Sequence, residues 1–454
     1  MITSKQATQL VKEIANRMRD LDQVNQILLH PSNHNNDHFF PEQLNPQLGD
    51  YRLMEDYPSI LLLFAELDSL FPHENWDAAV HNYVLKMKEI IESQGIFSLS
   101  LFGGLSGIAF VLQRASRGGS RYQKMIASLN AQILKLVDEN YLSPLEKNFH
   151  AGQPSPMALY DLIRGIVGIG IYGLNQIQDP SFALFTEKIA RHLVHLSKPL
   201  EVEGRSVPGW YLPFRFQILK EDQQKYPKGN FNLGLAHGVP GVLAFLSIAI
   251  LRGVEVAGQR EAIKDIACWI KGHRQEHQGN LFWGTHVTFE EEIVEPRHRR
   301  YSSTKKNGWC YGTTGIARSL FLAGKALKCE ELKSFAVDSF CSIFIESQQE
   351  WKLPSPTFCH GIAGFLMTTW MMYQDTHSSF LKKQVAYLKD ILLEHYHEDY
   401  PFGFKNLERC RKGGFMEISQ LNLHEGVSGI LLTLLSLEGL STWWHAPFLI
   451  GEGK

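Results

Sequence analysis

Two thiols, two imidazoles, a carboxylate and a phenol stand beside short glycine-containing segments of this 454-residue chain. They are Cys310 and Tyr311 in GWCYGTTG, Cys359 and His360 in FCHGIAG, His237 in LAHGVPG, and Asp161 in YDLIRG. Thiolate and imidazole are ligands that zinc prefers, and three protein ligands leave a fourth position open for chemistry. Cys310, Cys359 and His360 therefore form a candidate zinc set. On spacing alone, isolated buried thiols are the alternative, because the interval from Cys310 to Cys359 matches no short zinc motif.

His237 and Asp161 are candidates for proton transfer. Imidazole is the side chain best suited to give and take protons near pH 7, and a nearby carboxylate would orient it. Each residue also has a structural interpretation, in which His237 is a core or capping histidine and Asp161 caps a helix. Tyr311 and Trp309 could simply pack, and His424 is either a polar wall residue or a cap.

A G-x-x-G turn followed at once by an apolar run occurs six times, which indicates an internal repeat. The first glycines of the six copies are Gly104, Gly165, Gly238, Gly312, Gly361 and Gly426. A pattern with mixed charge and a period near 3.6 precedes each copy, and a helix that is apolar nearly all round follows it. The first kind of helix should face solvent, and the second should be buried on every side.

This alternation predicts an all-α chain folded as a double-layered α/α toroid. The expected outer helices are Asn75–Ser93, Tyr122–Glu139, Ser181–Ser197, Arg260–His273, Glu331–Ser347 and Phe380–His397. With an opening pair, Ile2–Arg19 and Ser59–Leu70, we expect about seven outer and seven inner helices in one domain, residues 1–454. Glycine would let the inner helices start close to their neighbours and leave first-turn amides exposed. The residues before each turn should then face one common mouth.

Composition excludes several classes of function. The chain has 45 basic and 47 acidic side chains, so it lacks the positive field that binds nucleic acid. We expect that the charged amphipathic N-terminus does not act as a signal peptide and that Gly238–Leu251 is too short to span a membrane. Six cysteines in a large chain for which no export signal is expected favour a reducing cytoplasm over a disulfide framework. We expect Cys268, Cys329 and Cys341 to be core thiols.

Two stretches interrupt the helical pattern, at residues 199–233 and 278–307. Both alternate apolar and polar residues and contain Pro and Gly, which predicts short strands or an ordered excursion. They build either a lid or groove for an extended substrate, or surface connections without a role.

GWCYGTTG, FCHGIAG and LAHGVPG, with YDLIRGIVGIG upstream, resemble the lanthionine synthetase C-like family, specifically its bacterial class I lantibiotic cyclases. The resemblance runs from about residue 55 to the end of the chain. It implies a two-layer α-toroid with one zinc ion bound by Cys310, Cys359 and His360. It places His237 and Asp161 at the family's acid/base positions and Tyr311 beside the metal. The family commonly has Arg at the position of Lys306, and lysine keeps the charge but loses the bidentate fork.

The resemblance also implies a reaction, in which cysteine thiols of a dehydrated precursor peptide add to dehydroalanine or dehydrobutyrine to form thioether rings. It implies a substrate with a leader segment and a cytoplasmic protein that can assemble with a dehydratase and an ABC exporter at the membrane. The alternative is a zinc-containing thiol-binding or scaffold protein of the same fold, for example one that binds glutathione. Glycosidase and prenyl-transfer chemistry fit the motifs less well, because the mouth holds one carboxylate candidate and no Asp-rich run.

Overall fold

The computed structural model describes residues 4–34, 36–37, 52–53, 56–96, 98–217, 220–294, 304–440 and 443–453. This part of the chain is mostly helical, with four small two-stranded sheets. The all-α prediction is confirmed. Both predicted insertions carry strands, although residues 218–219 and 295–303 of these insertions lie outside the described residues.

The helices that follow the glycine turns are buried on nearly every face, as their composition predicts. Together with the opening helix Asp56–Leu70 they make seven inner helices among the described residues. The other six are Leu105–Ala115, Ile166–Asn175, Val239–Leu251, Thr313–Leu327, Ile362–Thr376 and Val427–Leu437. Their apolar surfaces supply most of the core.

Within the described ranges, seven amphipathic helices form the predicted outer set, with bounds close to the expected ones. They are Ser4–Arg17, Trp76–Gln94, Gln123–Val137, Pro180–Leu196, Gln259–Gly272, Glu330–Ser342 and Ser379–Glu394. Shorter helices that the pattern did not predict are Leu21–Leu28, Ser143–His150, Met157–Tyr160, Lys220–Lys225 and Phe289–Ile293. Cys268 is exposed, and Cys329 and Cys341 are half-buried, so the prediction of core thiols was wrong for all three, and most clearly for Cys268. Its helix is amphipathic and presents that position to solvent.

The chain divides into two compact units. The first contains residues 1–98, 102–130 and 353–444, and the second contains residues 99–101, 131–352 and 445–454. In the first unit, Ile362–Thr376 packs against Val427–Leu437, which packs against Asp56–Leu70 and so on to Leu105–Ala115. In the second, Ile166–Asn175 packs against Val239–Leu251, which packs against Thr313–Leu327. The prediction of one domain stays a prediction.

In the part of the chain that the structure describes, eight short strands form four antiparallel pairs. In chain order β1 to β8 they are Leu200–Val202, Arg205–Val207, Asn230–Asn232, Gln275–His277, Asn280–Phe282, His286–Thr288, Asn406–Arg409 and Phe415–Ile418. Strands β1–β2, β4–β5 and β7–β8 are hairpins. Strand β3 instead pairs with the distant β6, which ties the two insertions of the second unit together.

Each first glycine of the six turns is the residue that immediately precedes its inner helix. The space that a Cβ would need is filled by the chain's own preceding loop. A Cβ on Gly238 would lie 2.1 Å from the Asn232 carbonyl oxygen, and one on Gly361 would lie 2.3 Å from that of Ser355. The loop crosses the helix start, so the close approach is to this loop and not primarily to a neighbouring helix.

The crossing loop also occupies amides that we expected to be exposed. The first amide of the inner helix donates to a loop carbonyl at several turns, with Leu105 donating to Ser98, Thr313 to Lys306 and Ile362 to Ser355. The glycines therefore fix the loop against the helix, and the expectation of open amides was wrong at these turns.

Replacing Gly312 with alanine should lower the free energy of unfolding by about 2–4 kcal/mol, measured by urea denaturation. Gly312 has φ 124° and ψ −173°, a region open essentially to glycine alone. Its Cβ would also meet the Lys306 carbonyl oxygen at 2.1 Å. The matched control is Gly272→Ala at an open helical position, where we expect a change within about 1 kcal/mol. Equal effects of both substitutions would contradict the role of the turn.

Candidate active site

In the second unit, the loops before three glycine turns lie side by side. The Leu162 amide donates to the Ala236 carbonyl at 3.2 Å, and the Ala236 amide donates to the Cys310 carbonyl at 3.3 Å. These bonds place Asp161, His237 and Tyr311, each adjacent to one of those residues in sequence, in neighbouring positions. The predicted convergence of the turns is therefore observed within this unit.

Asp161 and His237 form a direct pair. Their Oδ2 and Nδ1 atoms are 2.7 Å apart. The Asp161 side chain is fully buried, while 27% of the His237 side chain is exposed. The other carboxylate oxygen, Oδ1, accepts from the Arg164 amide at 2.7 Å and from the Gly165 amide at 3.0 Å. Asp161 thus caps its turn with one oxygen and orients His237 with the other.

The pair determines which histidine nitrogen can meet a ligand. A carboxylate can only accept a hydrogen bond, so His237 carries a proton on Nδ1. Its Nε2 is then the nitrogen that can accept or deliver a proton at the exposed side of the ring.

Asp161→Asn should lower the rate of any proton-transfer reaction at His237 by about 10²–10⁴-fold, because the amide would place a donor opposite Nδ1 and favour the wrong tautomer. The asparagine oxygen can still accept the two turn amides, so the melting temperature should stay close to that of the wild type. Asp179→Asn is the control, since Asp179 caps an exposed helix start in the same unit. A rate for Asp161→Asn equal to that of the control would contradict the assignment.

Tyr311 lies beside His237, with 6.3 Å between their ring centroids. Burial raises the pKa of Tyr311, so its hydroxyl stays protonated. The hydroxyl oxygen accepts from the side-chain Nδ2 of Asn232 at 2.9 Å. The strand partner of Asn232 is His286, whose pKa is lowered to about 3 chiefly by burial and further by the charges of Lys225 and His237.

Lys306 holds its place through the backbone, since its carbonyl accepts from the Thr313 amide. Its side chain is exposed, and the described residues show no hydrogen bond or ion pair for it. Trp309 is fully buried and donates from Nε1 to the Phe448 carbonyl at 2.8 Å. The packing interpretation of Trp309 is therefore confirmed, and the bond anchors the loop that carries Cys310.

In the first unit, the loop that carries Cys359 and His360 is hydrogen-bonded to the loop before the next glycine turn. The amides of Phe358 and Cys359 both donate to the His424 carbonyl, at 3.0 and 2.8 Å. The His424 ring is buried 4.6 Å from the Phe102 ring centroid, so it forms part of a buried wall. Cys359 and His360 are themselves half-buried.

The carboxylates of Glu408 and Glu425, to which the sequence analysis assigned no role, lie near His360. Ligand atoms of His360, Glu408 and Glu425 all lie within 4.8 Å of one another. Glu408 is 5% exposed, and its Oε1 accepts from the Asn406 side chain in a buried network. Acidic residues commonly orient metal-binding histidines through the second ring nitrogen. Glu408 stands on β7, in a stretch where the sequence predicted no strand.

The chain matches the model of the family "Lanthionine synthetase C-like protein" over residues 48–447. The chain belongs to this family. It is 25% identical over 416 residues to the nisin biosynthesis protein NisC of Lactococcus lactis subsp. lactis, covering 89% of this chain and 90% of that protein. It also superposes on the solved structure of a nisin cyclase with a TM-score of 0.74, at 24% identity, covering 90% of this chain and 95% of the other.

These findings confirm the family resemblance and the fold of this lanthionine synthetase C-like protein. The structural likeness shows the double-layered α/α toroid that the alternating helices predicted. None of the helices in the described ranges is long and apolar enough to cross a bilayer.

Cys310 of the second unit, and Cys359 and His360 of the first, are the donor set that the sequence predicts for a metal ion. Their chemistry fits zinc, because two of the groups are thiols and the third is an imidazole. All three are half-buried.

Proposed function

We propose that this protein is a lantibiotic cyclase, which adds cysteine thiols of a dehydrated precursor peptide to dehydroalanine or dehydrobutyrine and so forms lanthionine or methyllanthionine rings. The observation that carries the proposal is the Asp161–His237 pair at 2.7 Å, in a chain of the lanthionine synthetase C-like family. Carbon–sulfur bond formation of this kind needs a proton acceptor and a proton donor at one place.

We propose that Cys310, Cys359 and His360 hold one zinc ion per chain. When bound, zinc supplies the positive charge that lowers the pKa of a ligating thiol and makes it nucleophilic near neutral pH. The support is the donor set itself, which consists of two thiols at equivalent positions of two glycine turns and one imidazole. Glu408 and Glu425 lie near enough to His360 to orient its ring.

Residues of the chain then accept and return the proton that moves when a thiol adds across a carbon–carbon double bond. The substrate thiol loses a proton to His237, and its sulfur forms a bond to the β-carbon of the dehydro residue. The electron pair of the double bond moves to give an enolate, and His237 returns a proton to the α-carbon. The balance is one S–H added across one C=C bond, with no other reactant.

Asp161 keeps the His237 ring in one orientation and stabilises its protonated form. Tyr311 is placed to donate a hydrogen bond beside His237, because the rings of the two residues are adjacent and the Tyr311 hydroxyl stays protonated. Lys306 is exposed four residues before Cys310, and we propose that it contributes positive charge to the peptide site. Its point charge would act with less geometric specificity than a guanidinium.

A non-catalytic thiol-binding or scaffold protein would need the zinc ligands but has no use for the acid/base pair. Asp161 is completely buried and held by two backbone amides while it faces His237. Burial of a carboxylate at this cost in solvation is explained by a role in orienting the imidazole. The pair therefore favours the cyclase over the scaffold.

We further propose that the substrate carries a leader segment, that a separate dehydratase prepares it, and that the cyclase works in the cytoplasm, where it can join the dehydratase and an ABC exporter at the inner membrane face. Membership of the family supports these partners. The near-zero net charge gives no support for a nucleic-acid partner.

Incubation of a dehydrated precursor peptide with the zinc-loaded protein tests the function. The mixture is unfolded in denaturant before thiol alkylation, so that a thiol that is only bound becomes reactive while a thioether stays blocked. A cyclase gives peptides that resist alkylation, and a scaffold gives fully alkylated ones. His237→Ala protein with its zinc retained is the matched control, and full alkylation with both proteins would overturn the proposal.

A further inference from the structure

Tyr311 makes a hydrogen bond to the buried side chain of Asn232, a residue that was not among the predicted site residues. Strands β3 and β6 pair antiparallel, and their register places Asn232 directly opposite His286. Side chains directly opposite each other on paired strands lie close together. Asn232 is 4% exposed, so its amide group must find its partners within the protein.

One backbone bond fixes which way the Asn232 amide faces. Its Oδ1 accepts from the Gly234 amide at 2.8 Å, which only an oxygen can do. The Nδ2 group therefore faces the other side, where it lies 2.9 Å from the Tyr311 hydroxyl oxygen and 3.2 Å from His286 Nε2. The assignment of oxygen and nitrogen thus follows from the bonding.

Three acceptors lie near Nδ2, because Met157 Sδ is also 3.7 Å from it. A thioether sulfur accepts weakly, so the two hydrogens go to the two stronger acceptors. One goes to the Tyr311 oxygen, and the other goes to Nε2 of His286, which must then carry its proton on Nδ1, 3.1 Å from Thr285 Oγ1. Because the Tyr311 oxygen accepts from Asn232, its own hydrogen must point elsewhere. The ring itself is held in place by close packing on Gly234, where a Cβ would meet Tyr311 Cε1 at 2.6 Å.

We propose that Asn232 is a positioning residue for ring formation, which turns the Tyr311 O–H away from β3 and towards the peptide beside His237. This inference rests on the proposed function for its catalytic meaning, while the hydrogen-bond arrangement itself is independent of it. The Tyr311 hydroxyl then donates to the carbonyl oxygen of the dehydro residue, where charge develops as the enolate forms. His286 assists by taking the second amide hydrogen.

The variant Asn232→Asp separates positioning from support of the turn. An aspartate oxygen can still accept from the Gly234 amide, so the turn keeps its bond. The other oxygen cannot donate, and the Tyr311 hydroxyl would donate to it instead, which removes the hydrogen from the peptide site. Asn232→Ala loses both contacts and serves as the variant in which a structural role would show.

The first measurement uses NMR of protein with ¹⁵N-labelled asparagine and needs no activity. The side-chain signals of Asn232 are those missing in Asn232→Asp. In Tyr311→Phe we expect one Nδ2 proton to move upfield, and in His286→Phe the other one, while the side-chain signals of Asn230 on the same strand stay in place. Absence of any Asn232 shift in Tyr311→Phe would overturn the proposal.

The second measurement is cyclisation kinetics with zinc content and melting temperature determined for each variant. We expect kcat of Asn232→Asp to fall by about 10-fold or more with KM changed less than about 2-fold, as for loss of an interaction made in the transition state. The double variant with Tyr311→Phe should be no slower than Tyr311→Phe alone, because both changes remove one donor. Multiplying effects in the double variant, or a fall in zinc content that accounts for the loss, would overturn it.

The two measurements distinguish this inference from the proposed function. A wild-type protein that leaves every peptide thiol reactive refutes the cyclase assignment, and with it the catalytic meaning of Asn232. The NMR shifts still decide whether Asn232 orients the Tyr311 hydroxyl.

Discussion

Cys359→Ala should yield protein without zinc and without measurable ring formation. Three protein ligands hold the ion in the proposed site, and loss of one thiolate removes a strong, negatively charged bond. We expect zinc affinity to fall by at least about 10³-fold and the cyclisation rate by a similar factor, since metal affinity depends on the complete ligand set. Elemental analysis of the purified protein and the alkylation assay measure the two effects.

Cys268→Ala is the matched control for this substitution. Cys268 is also a thiol, but it is exposed on the outer helix Gln259–Gly272. Its loss should leave one zinc ion per chain and an unchanged rate. A Cys359→Ala protein with full zinc content and activity, as in the control, would refute the ligand assignment.

His237→Ala should retain zinc and lower the rate of ring formation by about 10²–10⁴-fold, the usual range for loss of a general acid or base. The proton returned to the α-carbon would then come from water, without preference for one face. We therefore also expect a mixture of diastereomers at that carbon, measured by chiral chromatography of the hydrolysed product. The rate reports the loss of proton transfer by His237, and the diastereomer ratio reports the loss of protonation from one face.

His277→Ala provides the control for a histidine in the same unit. His277 is exposed on the β4–β5 hairpin and has no part in the site. Its replacement should leave rate and stereochemistry unchanged. If His237→Ala matched it in both readouts while zinc remained bound, another residue would have to be the proton donor.

The helical framework was readable from the sequence because two strong local signals agree in it. The 3.6-residue period gives each outer helix its apolar stripe, and the glycine turn marks each inner helix start. Thus the predicted Arg260–His273 is observed as Gln259–Gly272, and the predicted Ser181–Ser197 as Pro180–Leu196. The nearness of Asp161 and His237 was expected from the same repeat, because the residues before equivalent turns should face one mouth.

The polar neighbours of the site were not readable, since they lie on short strands whose pairing leaves little trace in the sequence. Asn232 and His286 stand on strands of three residues each that are separated by a long segment. Glu408 lies on β7, in a stretch that follows the last outer helix and that was not recognised as a hairpin. The alternation in NFNLGLAHG, with a buried Asn five residues before His237, is the signal that could have indicated Asn232.

The reason for the glycines could not be obtained from the sequence either. Close packing between helices and close crossing by the preceding loop both require the absence of a Cβ. Only the structure shows that the Asn232 carbonyl lies against Gly238 and the Lys306 carbonyl against Gly312. The loop that bears each functional residue is therefore fixed by the glycine that follows it.

Zinc K-edge X-ray absorption of the purified protein tests the central claim most directly. Cys310, Cys359 and His360 as ligands predict one zinc ion per chain with two sulfur neighbours at about 2.3 Å and nitrogen or oxygen neighbours at about 2.0–2.1 Å. Loss of one sulfur neighbour in Cys310→Ser would identify that residue as one of the two. A spectrum without sulfur neighbours, or protein that contains no zinc after purification in its presence, would contradict the account.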